Sequence, residues 1–310
     1  MLNEAIDKNP DKADKIDIES IISEVTPDVV KLIKDSLMKS AKGMLKERRK
    51  LSNQFEKRNI KRWGKAFDKL ETHIVICTEA GEEFNKSYRP EAVETNNLVF
   101  DLVVRHHARA CHISQEILCL LKSGYADAAH ARWRALHEVT ATAMFIAKHG
   151  HECAERFYFH DIIESYDGML EHKAYEDRLQ EKGPTQEDID DCKNEYDLLI
   201  EKYGKKYADH YGWASYLFPN HRRVGFAAIE KDVGLDHMRP YYKWASQNIH
   251  SGAKGMRNRL GLCEAKEDIL LVGQSNSGMT DPACATAISL CQITSTLLVL
   301  EPTLDHIVSA

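Results

Sequence analysis

ADAAHARWRALHEVTATAMFIAKH, residues 126–149, sets Arg132, Arg134, His137 and Glu138 into a background of Ala, Trp, Leu, Val and Phe. Charged groups are costly to bury unless they pair, so this stretch is either a polar knot in a core or a site. Its apolar positions recur at helical spacing. Just upstream, Leu98, Leu102, Ala108, Cys111, Ile117 and Leu121 keep the same period, and Lys122-Ser123-Gly124 supplies a basic last turn and a glycine stop. A connection that short makes the two helices antiparallel neighbours, an αα-hairpin. Residues equidistant from Gly124 then face each other, which sets Glu138 level with Cys111 and His112, and Arg134 level with Gln115 and Glu116.

Around this hairpin the chain reads as all-α, a multi-helix bundle. The 310 residues, 43% hydrophobic and 29% charged, suffice for a large buried core. No apolar run approaches the roughly 20 residues that cross a bilayer, and the N-terminus lacks a signal-peptide apolar segment. The expected address is therefore cytoplasmic, with no membrane partner. Eight cysteines are scattered without a C-x-x-C pair, which fits reduced, partly buried thiols and neither a disulfide framework nor a zinc site.

Residues 1–15 are polar, aperiodic and contain Pro10, and read as a mobile tail; residues 16–80 read as an N-terminal basic helical arm and residues 81–310 as the helical-bundle domain. In the arm, Pro27 fits the first turn of a helix carrying Val29, Val30, Ile33, Leu37 and Met38. A long basic helix or helix pair then runs through Trp63, Phe67, Leu70 and Ile74 to about Ala80. Further on, residues 153–182 are amphipathic, and Thr185 with Asp188 forms an N-cap that opens a helix ending at Gly204. An aromatic connection follows, then short helices before Gly234 and from His237 to His250. Ile269-Leu270-Leu271-Val272-Gly273 reads as a short strand or buried extended segment, and Asp281-Pro282 opens a final apolar helix.

The net charge of −6 hides an asymmetry: residues 39–69 carry twelve basic and three acidic residues, +9, which leaves −15 for the rest. Lys46, Arg48, Arg49, Lys50, Arg58, Lys61 and Arg62 are the candidate contacts to RNA or to an acidic protein partner. Because the remainder is so acidic, self-complementation or packing in a homo-oligomer is favoured over nucleic acid.

Two overlapping pairs lie on the central helix. Arg132-Trp-Arg-Ala-Leu-His137 has R-x-x-x-x-H spacing, which resembles the motif of the HEPN ribonucleases, helical bundles in which two such motifs meet across a homodimer. The resemblance implies that His137 takes the proton of a ribose 2′-hydroxyl and that Arg132 holds the scissile phosphate. Trp133 stands where that family usually has a small polar residue. Arg134-x-x-x-Glu138 is an i,i+4 bridging pair. Tyr242-x-x-x-Ser246-x-x-x-His250 rises along one face of a later helix, beside the glycine-containing turn Ser251–Gly255. A candidate pocket then comprises Arg134, Glu138, His112, Ser246 and His250; the alternative is that Tyr242 and Ser246 make core hydrogen bonds and His250 caps a helix end.

R-x-x-x-E on a central helix, S-x-x-x-H after an aromatic helix start, and a glycine-containing segment leading into the Asp281-Pro282 helix together resemble a bacterial all-helical family of unknown function. The resemblance covers about residues 70–300. It implies the fold and an association with defence or toxin-type loci. No metal is expected: His160, Asp161 and Glu164 share a face, but the paired Glu-x-x-His motifs of ferritin-like sites are missing. Phosphate loops and dinucleotide fingerprints are missing too, so no cofactor is expected. The reading is a defence or toxin-type effector with metal-independent RNase activity, Arg132 and His137 facing outward and Arg134/Glu138 satisfied in the core opposite Glu116 and His112. The alternative is a non-enzymatic interaction module whose Arg/His/Glu cluster is structural.

Overall fold

Helical periodicity is realised along most of the chain. The computed structural model describes residues 18–250 and 252–302, and among them there is no strand. The expected tail, residues 1–15, lies outside the described residues. In chain order the α-helices are α1 (Ile18–Glu94), α2 (Leu98–Lys122), α3 (Ala126–His149), α4 (His151–Leu179), α5 (Gln186–Tyr203), α6 (Phe226–Asp232), α7 (Arg239–Gln247), α8 (Ala253–Arg257) and α9 (Thr280–Leu298). Single 3-10 turns occupy Lys205–Ala208, Gly212–Leu217, Asp236–Met238 and Leu260–Leu262. None of these helices is long and apolar enough to cross a membrane.

The arm is one helix. α1 runs for 77 residues and begins ahead of Pro27, which sits in its third turn and not its first. A proline there forfeits its own N–H bond, and at this exposed position water solvates the carbonyl left over. The helix stops at Asn96, whose φ of 50° is left-handed, and the Asn97 side chain restarts the chain by accepting from Phe100 N at 3.0 Å. The chain divides into two compact units, Met1–Lys57 and Arg58–Ala310. In the first, the described residues from Ile22 to Ser40 are all exposed.

The second unit holds two hydrophobic clusters. In one, Phe67, Leu70 and Ile74 of α1 pack with Trp133 and Leu136 of α3 and with Leu290 and Ile293 of α9. In the other, Phe84, Phe100, Phe145, Tyr207 and Trp213 are buried together. The α2–α3 hairpin turns at Gly124, whose φ of 85° favours glycine. α9 is fastened to α3 by the buried Trp133, whose indole N–H donates to the Ala285 carbonyl at 3.0 Å and to Ser289 Oγ at 3.1 Å. α5 opens with the expected capping box: Asp188 N donates to Thr185 Oγ1, and Thr185 N donates to the Asp188 carboxylate at 2.8 Å.

One expectation fails here. Residues 269–273 form neither a strand nor a buried segment: Leu270 is 94% and Val272 90% exposed, so the apolar run has no sheet or core to join. The eight cysteines are free and partly buried as expected: Cys77, Cys111 and Cys153 are buried, Cys192 is intermediate, and Cys119, Cys263, Cys284 and Cys291 are exposed. An apolar helical segment buries only one stripe, and a cysteine off that stripe meets solvent.

Candidate functional site

Helical geometry separates the two pairs on α3. Trp133, Leu136 and His137 fall on the core side, and Arg134 and Glu138 fall on its edge. The expected division does not hold: His137 is buried while Arg132 stays about a third exposed, and Arg134 and Glu138 are partly exposed as well. His137 is completely buried; its Nε2 lies 2.9 Å from Glu230 Oε1, and its Nδ1 has no hydrogen-bond partner. Glu230, also fully buried, bonds Arg239 through its other oxygen. A buried carboxylate with an arginine on one side and an imidazole on the other has both oxygens engaged, and it ties α6 and α7 to α3. Nothing there leaves His137 Nε2 open to a ribose.

Arg132 points elsewhere. It ion-pairs with Glu116 Oε2 on α2, and His112 Nε2 stands 3.3 Å from the other oxygen of the same carboxylate. Glu116 and His112 therefore belong with Arg132 and not, as expected, with Arg134 and Glu138. The hairpin does bring its polar groups together, but a shift of two residues along α3 selects the other arginine.

Arg134 and Glu138 form the accessible cluster. Arg134 Nε and Nη2 both lie 3.1 Å from Glu138 Oε1, and Tyr242 Oη donates to that same oxygen from α7. The guanidinium sits 4.9 Å from the centre of the Tyr242 ring, where the π-face favours a cation. Its remaining edge points at His250: Nη1 lies 3.4 Å from His250 Nε2. Arginine has no acceptor, so the contact is a hydrogen bond in the tautomer whose Nε2 lone pair faces the guanidinium. Arg134 and Glu138 are about a quarter and a third exposed, and His250 is exposed.

His250 reaches this place through the end of α7. Its N–H donates to the Ser246 carbonyl at 3.1 Å, and its own carbonyl accepts from Gly252 N at 2.8 Å. Gly255 makes the turn possible, since a Cβ there would lie 2.2 Å from the Gln247 carbonyl oxygen. Asp127 at the start of α3 anchors the segment beyond, accepting Leu260 N at 2.7 Å and Gly261 N at 3.2 Å. Ser246 takes no part in the cluster, because its hydroxyl donates to the Tyr242 carbonyl of its own helix at 2.8 Å.

Burial tunes the surrounding groups. Desolvation, with the Tyr242–Glu138 hydrogen bond, holds the Tyr242 phenol well above its ordinary range. Tyr211, close to both Glu138 and Arg134, is pushed up to about 12, chiefly by burial. Both phenols stay protonated donors at neutral pH. His130, one turn before Arg134 and packed between Trp133 and Trp244, is lowered to about 4 by burial.

The remaining predicted residues are placed as follows. Lys46, Arg48, Arg49, Lys50, Arg58 and Lys61 are exposed on α1. Arg62 is engaged within the chain, bonding Glu264 at 2.7 Å and lying over Trp63. His160 Nε2 lies 3.1 Å from both the Tyr207 and Asp209 carbonyls, a structural role. Among the described residues no three His, Cys, Asp or Glu side chains converge as ligands of one ion would. Sequence reasoning left Glu230 and Arg239 out of any site. The only signal was a lone Glu directly after the apolar Phe226–Ile229 turn, which does not say what it meets.

A family model, described as a family of unknown function (DUF5677), matches residues 100–268. No curated protein and no solved structure matches the chain. The matched region holds Arg134, Glu138, Glu230, Arg239, Tyr242 and His250.

Proposed function

The chain belongs to the DUF5677 family of unknown function, and from that premise we propose that the Arg134–Glu138–Tyr242–His250 cluster cleaves RNA without a metal. The observation that carries this reading is the exposed His250 imidazole beside an arginine locked by a carboxylate and a phenol. The ribose 2′-hydroxyl takes the place of Arg134 Nη1 at His250 Nε2, which accepts its proton as the 2′-oxygen attacks phosphorus. The P–O5′ bond breaks, the leaving 5′-oxygen takes a proton from water, and the proton held on His250 passes to the hydroxide so formed. Arg134, oriented by Glu138 and Tyr242, donates to the non-bridging oxygens as charge builds there. The products are a 2′,3′-cyclic phosphate and a 5′-hydroxyl. The chemistry is that expected of the Arg132/His137 pair, moved to Arg134 and His250. The setting proposed with it is a cytoplasmic effector of the defence or toxin type acting as a homo-oligomer. Exposed apolar side chains of the arm, such as Ile33, Leu37 and Met44, support the self-association.

The test is cleavage of RNA by the purified full-length chain in EDTA, with product ends identified. Wild type should yield cyclic-phosphate ends, and His250→Ala should lower the rate by about 10²-fold or more, the usual scale of a lost general base. Equal rates in wild type and His250→Ala would sink the assignment. A wild-type chain that leaves RNA intact favours the non-enzymatic module, for which the closed Arg134–Glu138–Tyr242 network is the supporting feature.

A further inference from the structure

One face of α1 collects cations, with Glu47 and Glu56 at its two margins. Lys42, Lys46, Arg49, Lys50 and Lys57 line a continuous shallow groove together with the amides of Asn53 and Gln54. The spacing is helical: four residues raise the chain by about 6 Å, so Lys42, Lys46 and Lys50 stand in file at intervals comparable to those between successive phosphates of one strand. From Lys42 to Lys57 the file is about 22 Å long. All five cations are exposed.

We propose that this face of residues 42–57 is a docking strip for the backbone of an RNA strand, separate from the Arg134/His250 cluster. Charge complementarity argues for a polyanion, because like charges held this close repel until an anion neutralises them. Between the cations, Asn53 and Gln54 supply amide groups that can both donate to and accept from a 2′-hydroxyl. At about 100° per residue, the strip lies opposite the exposed apolar side chains Ile33, Leu37 and Met44, so self-association through those would leave it uncovered. The choice of RNA over DNA rests on the RNA-cleaving reading; the phosphate recognition does not.

Binding should be measured by fluorescence anisotropy with a fluorescein-labelled single-stranded RNA in EDTA. The protein is the full chain carrying His250→Ala, so that cleavage cannot consume the probe. Affinity should fall with rising salt. Adding Lys46→Gln, Arg49→Gln and Lys50→Gln should weaken binding and reduce the slope of log K against log salt by about 2, near 0.7 for each phosphate no longer neutralised. Unchanged circular dichroism would exclude unfolding as the cause. An unchanged affinity and slope in the triple variant would overturn the strip. So would a chain that ignores RNA yet binds anionic phosphatidylserine vesicles through the same three residues, which would make the strip a membrane contact. These readouts concern binding alone, so they can fail while cleavage at His250 stands, or hold while it fails.

Discussion

His137 and His250 differ more in surroundings than in chemistry. One is sealed against Glu230 and the other leans on Arg134 at the surface. Removing the buried imidazole leaves the Glu230 carboxylate with only Arg239, whereas removing the exposed one leaves an ion pair that water can serve. His137→Ala should therefore cost about 3–5 kcal/mol of unfolding free energy. His250→Ala should cost under about 0.5 kcal/mol, and urea titration of both variants checks the contrast. Arg134→Ala, at a half-exposed pair, should cost about 1 kcal/mol or less. A larger loss at His250 than at His137 would invert this picture of which histidine is structural. Arg132 through Glu138 were all legible as a polar cluster. Their directions were not, because the side that faces the core depends on where α6, α7 and α9 come to rest, and those contacts are made by residues about 90 to 150 positions away.

At the scale of elements, the sequence announced most helices through period and punctuation. Thr185 and Asp188 capped α5, Gly124 and Gly204 stopped helices, and α2 and α3 turned on one another as expected. What it missed is a long-range cap. Asn59 of α1 is fully buried, and its amide donates at 2.9 Å to both the Leu121 and Lys122 carbonyls, the open C-terminal acceptors of α2. Asn59→Leu should lower stability by about 1–3 kcal/mol, because two buried carbonyls lose their donor, and should speed amide exchange at the α2–α3 turn. Protection there equal to wild type would show that the cap contributes nothing. The missed strand has a related origin. Leu270, Leu271 and Val272 read as apolar, but a strand needs a neighbour to take its backbone hydrogen bonds, and no helix bundle provides one.

For the molecule as a whole, the buried histidines set the response to acid. His107 and His130 are both lowered to about 4 by burial, so each stays neutral in the folded state where the unfolded chain would take up a proton. The sign follows: between about pH 6.5 and pH 4 the unfolded state binds more protons, and stability falls as pH falls, by about 1.4 kcal/mol per pH unit for each histidine. Below about pH 4 the contribution levels off. Denaturant titrations at pH 7, 5.5 and 4.5 should show the decline, and His130→Phe, set between two tryptophans, should flatten it. An identical slope in that variant would mean that His130 is not held neutral.

Composition and periodicity by themselves determined that the chain is all-α, where its hairpin lies, and which residues are dangerous to bury, because these depend on neighbours within a turn or two. A helix's own period even gives the two faces of α3. Which face meets solvent was decided by the tertiary structure alone. Glu230, whose local sequence does not say what it meets, entered the core opposite His137 and withdrew it from solvent, while Tyr242 and His250 arrived beside Arg134 and left that pair at the surface. The physical reason is that a buried charge must find its partner wherever the fold brings one, and no spacing along the sequence records that meeting.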